Sequence, residues 1–187
     1  MEVLEKKMMA EEFFGLELPD NADYSYELLN GILVRRNAPS GKHQLIHGEI
    51  FGQLYLFVNQ NDLGKIFSAP TSVVLSDSDV PQPDILFLSK KNNDKYDPVW
   101  GIKGAPDMVV EILSPSSFKI DRFEKKDLYE KHGVKEYWLV DPNYKSIEVF
   151  ALINGKYQLH AFGLEDEKIT STVLKGFELE LKNIFKK

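Results

Sequence analysis

The chain has 187 residues, 43% hydrophobic and 28% charged, with no cysteine and 23 basic against 29 acidic side chains. That length and mix fit one globular domain and exclude a disordered chain, a disulfide scaffold, a cysteine nucleophile and a thiolate zinc site. The net charge of −6 excludes a general nucleic-acid-coating protein, since affinity for phosphate comes mainly from Lys and Arg; a local basic cleft stays open.

Residues 1–22 read as an N-terminal arm of a single domain spanning 1–187. Met1–Ala10 has scattered charges and no apolar run, so it is not expected to be a secretion signal. Met8–Leu16 reads as a short helix anchored by Phe13 and Phe14. Ser25–Leu29 and Ile32–Arg36 flank Asn30-Gly31, a dipeptide that favours a two-residue turn with positive φ, so a hairpin is expected. Ala38–Gly41 reads as a loop. Gln44–Val58 carries apolar residues at three- and four-residue spacing, the period of an amphipathic helix.

Lys65–Ala69, Ser72–Leu75, Asp84–Leu88 and Met108–Leu113 are apolar runs bounded by Pro, Gly and Ser, and read as strands. Asp121–His132 reads as a helix capped by Gly133. Glu136–Val140 is a further strand, and Ser146–Leu152 with Lys156–Phe162 form a second hairpin around Asn154-Gly155. Phe177–Leu181 is a late strand or a helix start. The order predicts an α/β fold with a mixed sheet flanked by helices and added β-hairpins. No stretch reaches the ~18 apolar residues of a membrane span.

Glu111 is the most informative residue. It interrupts Met108-Val-Val-Glu-Ile-Leu113, a run expected to be covered on both faces, where an ionised carboxylate must be paired, hydrogen-bonded or bound to a cation. Asp84 follows Gln82-Pro83 and opens another apolar strand. Each acid alone fits a salt bridge or a turn partner; together they can bind a hard divalent cation. Asp121, Lys125 and Tyr129 share one helix face, either as an exposed Asp121–Lys125 ion pair or as a means of delivering a lysine to the metal.

Taken together, Gln82-Pro-Asp84, Gly104-Ala-Pro-Asp-Met-Val-Val-Glu-Ile-Leu-Ser-Pro-Ser116, Asp121-Arg122, Lys125, Tyr129 and Gly133-Val-Lys-Glu-Tyr-Trp-Leu-Val-Asp-Pro142 resemble the Uma2 family, the DUF820 group of endonuclease-like proteins. Tyr26–Val34 and His43-Gln44 match it too, so the resemblance runs from about Tyr26 to Val149. It implies the restriction-endonuclease-like fold of the PD-(D/E)xK superfamily, with Asp84 and Glu111 as metal-binding carboxylates. The superfamily's lysine two positions after the second acid is Leu113 here. The resemblance points instead to Lys125 on the following helix, with Lys119 and Lys126 as fallbacks, and suggests an accessory acid on the first long helix, for which Glu49 is the candidate, although Glu49 reads more simply as a solvated helix-face residue.

Other residues carry less. His43 reads as an exposed cap, and His43 with His47 as a transition-metal pair lacks a third ligand. His132 suits a helix C-terminus, and His160 a strand surface. Asp107 reads as structural, Tyr137 and Trp138 as core, and Ser114-Pro-Ser116 as a loop beside the metal. No glycine-rich nucleotide loop is present.

The expected activity is Mg2+-dependent hydrolysis of DNA phosphodiester bonds, with Mn2+ as a substitute. Lys42, Lys119, Arg122, Lys125 and Lys126 would line a local cleft. Gln82, His43 and Asp121 are accessory candidates, and a homodimer could complete the cleft. A silent nuclease-fold module that binds nucleic acid or a protein is the alternative. A metal-free acid/base pair of the glycosidase kind is a third. The absence of cysteine fits a cytoplasmic setting.

Overall fold

The computed structural model describes residues 7–17 and 24–185. The expected arm, residues 1–22, therefore falls partly outside the described residues, as does most of Met1–Ala10.

Helix α1 (Ala10–Phe14) buries Phe13 against Leu28 and Val80. Strands β1 (Tyr24–Leu29) and β2 (Ile32–Asn37) form the expected hairpin, with Asn30 and Gly31 at φ 52° and 77°. Helix α2 (Gly41–Gln60) starts earlier than its apolar period shows. Ser40 Oγ accepts the His43 N–H at 3.2 Å and so turns the expected loop into an N-cap. Its inward residues Ile46, Ile50, Leu54 and Val58 pack on the main sheet.

Strand β3 (Gly64–Ser68) matches expectation. Only β4 (Val73–Val74) survives of the predicted Ser72–Leu75 strand, and it lies outside the main sheet. Strand β5 (Ile85–Ser89) starts one residue after Asp84. Strands β6 (Tyr96–Asp97) and β7 (Gly101–Lys103) join β4 in a small sheet, too short to show a period in sequence. Strand β8 (Met108–Ile112) is buried at every position.

The predicted Asp121–His132 helix opens as a π-helical turn (Ile120–Lys125) and continues as α3 (Lys126–His132), ended by Gly133 at φ 81°. Strands β9 (Glu136–Asp141), β10 (Ser146–Ile153) and β11 (Lys156–Leu164) follow. Strand β12 (Lys168–Thr170), not expected from sequence, pairs with β13 (Glu178–Glu180), which runs directly into helix α4 (Leu181–Ile184). Phe177–Leu181 is thus both a strand and a helix start.

Among the described residues the main sheet runs β11-β10-β9-β8-β5-β3. Its β8–β9 pair is parallel and the others antiparallel, giving the mixed sheet expected. One face packs on α2: Met108, Val110 and Ile112 of β8 join its core cluster. The alternate residues Val109 and Leu113 face Tyr129 of α3. Glu111 belongs to this second set by strand alternation, which aims its carboxylate at the helix carrying Lys125. No helix of the described residues is long and apolar enough to cross a membrane.

Candidate functional site

The antiparallel pairing of β5 with β8 brings two acids together. Its last pair is Ile85 with Val110, so one step further Asp84 falls opposite Glu111. The Ile112 N–H donates to Asp84 Oδ2 at 2.7 Å, tying the end of β8 to the start of β5.

Asp84 stands on the floor of a cleft of about 460 Å³, among Arg36, His43, Gln82, Ile112 and Ser114. Its side chain keeps 15% exposure. Glu111 and Lys125 lie beneath, both with 0% exposure. Lys125 Nζ donates to Glu111 Oε1 at 2.8 Å and lies 2.5 Å from Glu27 Oε1 and 3.8 Å from Asp121 Oδ1. The Tyr129 hydroxyl also donates to Glu111 Oε1, at 2.8 Å. Arg36 donates to both Asp121 oxygens, at 2.9 and 3.4 Å, and lies 3.6 Å from Glu27 Oε2.

Four carboxylates (Glu27, Asp84, Glu111, Asp121) thus surround two permanent cations. Burial pushes the Glu111 carboxyl up. Lys125 pulls it down, and Asp121, Asp84 and Glu27 add to the rise. Burial alone would raise Asp84 as well, but the His43 ring, the Ile112 N–H and Lys125 turn its net shift downward. Burial disfavours the charge of Lys125, yet Glu111 and Glu27 more than offset it and hold the ammonium firmly protonated. Asp84 is therefore the anionic oxygen open to the cleft.

Several expected residues fall elsewhere. Glu49 is exposed on the outer side of α2 and adds no acid to the cluster. Lys119 is exposed on the rim of a neighbouring cavity. Lys126 lies 3.6 Å over the Phe150 ring. Lys42 donates to the Pro142 carbonyl and Arg122 to Glu148, so neither is free to line the cleft. Asp121 and Lys125 share a face as expected, but the pair is buried rather than exposed.

His43 is no exposed cap. Its Nε2 lies 3.2 Å from Asp84 Oδ2, and Ser40 does the capping. His47 contacts the Asp84 carbonyl at 3.1 Å and Ser68 Oγ at 3.0 Å, so the two rings brace Asp84 from one turn of α2. Among the described residues no three His, Asp or Glu side chains group as a metal cluster, and both rings are engaged with Asp84. Gln82 lines the cleft, and its N–H donates to Glu27 Oε1 at 2.7 Å. Asp107 accepts from Ser89, Asn92 and Lys135, a structural role as expected. His132 sits at the α3 terminus, 3.7 Å from Asp79. His160, on β11, contacts Thr170. Tyr137 and Trp138 are fully buried.

Sequence reading missed Glu27 and Arg36. Local sequence carried little signal for either: Glu27 is buried together with its neighbours Leu28 and Leu29, and only the β2 alternation sets Arg36 apart as half-buried between exposed residues.

The donor set fits a hard divalent cation. Glu111 Oε2 and Gln82 Oε1 are buried without a hydrogen-bond partner, Gln82 and Asp84 line the cleft together, and Asp84 is near enough to Glu111 to raise its carboxyl. Mg2+ commonly takes one or two carboxylates and completes its shell with water.

The family profile described as "Uma2: Putative restriction endonuclease" matches residues 10–182. No curated protein matches the chain. Among solved structures, a protein titled as a putative nuclease belonging to DUF820, from Anabaena variabilis, superposes with a TM-score of 0.77 at 21% identity. The alignment covers 95% of this chain and 97% of that one.

Proposed function

This chain belongs to the Uma2 family, and on that premise we propose that it is a Mg2+-dependent nuclease that hydrolyses DNA phosphodiester bonds. The observation that carries the reading is the approach of Lys125, from the helix after β8, to Glu111 beside Asp84 at a cleft floor. This supplies two acids and a lysine although position 113 is Leu.

Asp84 and Glu111 would hold the ion, the first through its cleft-facing oxygen, the second through the unpartnered Oε2. When bound, such an ion activates water and polarises the scissile phosphate. Lys125 and Tyr129 fix Glu111 through Oε1, leaving Oε2 for the ion. His43 and the Ile112 N–H orient Asp84.

Nicking of supercoiled plasmid in Mg2+ or Mn2+ tests this, with EDTA, Asp84→Asn and Glu111→Gln as controls. Cleavage abolished in all three supports the reading. One observation favours the silent binding module instead: Glu111 and Lys125 are wholly buried. No cleavage, together with no metal binding by calorimetry, would move the assignment to that module.

A further inference from the structure

The wall between the cleft and its neighbour carries a second feature. The Ala69 N–H donates to the Asp84 carbonyl at 3.0 Å, fixing Ala69-Pro70 at the cleft rim. Pro70 also lines a hollow of about 280 Å³ on its other side, where Tyr96, Val99 and Trp100 meet. The two spaces share this proline as a common wall.

The hollow is aromatic and built rigidly. Trp100 is 39% and Tyr96 40% exposed, high for rings of this size. Trp100 meets Phe14 edge-on at 4.5 Å between centroids, and Tyr96 leans on Phe67 at 5.4 Å. Asp97 accepts the Val99 and Trp100 N–H groups at 2.8 and 3.0 Å, pinning the loop that presents the indole. Gly101, at φ 91°, lets this loop close on the wall: a Cβ there would stand 2.3 Å from the Ser72 carbonyl oxygen. Lys65 lies exposed with its Nζ 4.8 Å over the face of the Tyr96 ring, a cation–π contact that sets a positive charge at that ring.

Exposed rings next to a lysine, one proline away from an acid that faces a cleft, match the chemistry of an unpaired nucleotide strand. Bases stack on such rings whatever their identity, while a cation takes the backbone phosphate. Duplex bases already stack on one another and offer no face. We propose that Tyr96 and Trp100 form a stacking platform for unpaired DNA bases, so that the strand lying over Asp84 is single-stranded or frayed. The proposal rests on the nuclease reading for its cleavage arm, but its binding arm stands apart from it.

The chain has two tryptophans, and Trp138 is fully buried with its Nε1 donating to Glu136, so Trp100 reports on the platform. The first arm titrates a thymidine 20-mer and a hairpin duplex of equal mass into the protein in EDTA, following tryptophan emission. The expected result is saturable quenching by the 20-mer and weaker binding of the duplex. Tyr96→Ala should weaken 20-mer binding about tenfold, as should Trp100→Ala measured by anisotropy of a labelled strand. Trp100→Phe should restore most of the affinity, which a loss of fold would not do. Equal affinity for both DNAs, or wild-type affinity in Tyr96→Ala and Trp100→Ala, overturns the platform.

The second arm measures Mg2+-dependent cleavage of the same DNAs. Strand-selective binding without any cleavage supports the platform and counts against the nuclease reading. Cleavage lost in Asp84→Asn but indifferent to strandedness and to both ring variants keeps the nuclease and removes the platform.

Discussion

Lys125 Nζ lies 2.8 Å from Glu111 Oε1, and neither side chain has any exposure. The lysine does not come from β8 itself. The position two residues beyond Glu111 points the same way, but Leu113 there packs with Tyr129 and Val134. The charge arrives instead from the π-helical turn at Ile120–Lys125.

Removing that cation leaves Glu27 and Glu111 buried without their shared partner. Lys125→Met should lower unfolding stability by about 3–5 kcal/mol in urea melts near neutral pH. Adding Glu111→Gln should recover part of the loss. A single variant as stable as the wild type would mean that the cluster does not depend on this lysine.

Glu111 makes the fold sensitive to pH in a defined direction. Its carboxyl is raised in the folded state above an ordinary value of 4.5. The stability it contributes is therefore complete below about pH 4.5 and is lost as pH rises through the folded value. Glu111→Gln should remove this decline and leave the protein equal to or more stable than wild type at pH 8, while abolishing cleavage. Parallel stability curves for the two proteins from pH 4 to 8 would refute the assignment.

Asp107 gives the opposite sign. Burial alone would raise its carboxyl, but Lys135, Asn92 and the Ser89 N–H overcome that and hold it at about 2 against an ordinary 3.8. Its contribution is present above about pH 3.8 and lost as pH falls through about 2. With the side chain only 2% exposed, Asp107→Asn should cost about 2 kcal/mol at pH 7 and little at pH 2. Urea melts at the two pH values give the comparison.

His43 should matter through Asp84. In His43→Ala the Asp84 Oδ2 keeps only the Ile112 N–H of its two partners. Divalent-ion affinity should fall about 10- to 100-fold, as when the groups orienting a metal ligand are removed. The thermal shift produced by Mn2+ measures this without cleavage. It should vanish in Asp84→Asn, move to higher Mn2+ in His43→Ala, and be partly restored in His43→Gln. An unchanged midpoint in His43→Ala would detach His43 from the site.

Asp84 and Glu111 were legible because each sits in an apolar run where a charge needs a reason. Gly133 and Asn30-Gly31 were legible because their backbone angles suit few other residues. Glu27 and Arg36 were not, since an alternating hairpin hides which face it buries until something packs on it. The exposure of Glu49 and the burial of Asp121 depended in the same way on what each helix face met.

The sequence by itself determined the mixed α/β architecture, the hairpin turns, and the two acids, Asp84 at the entry to core strand β5 and Glu111 within β8. These follow from local periodicity, turn chemistry and the cost of burying charge, all of which act over a few residues. The resemblance puts Lys125 ahead of Lys119 and Lys126, but only the tertiary structure decided that it reaches Glu111, that His43 turns onto Asp84, and that Glu27 and Arg36 close the cluster from a hairpin far away in the chain. Those outcomes depend on strand register and helix rotation. Burying the apolar faces sets both, and in a dense core that choice carries every polar side chain with it.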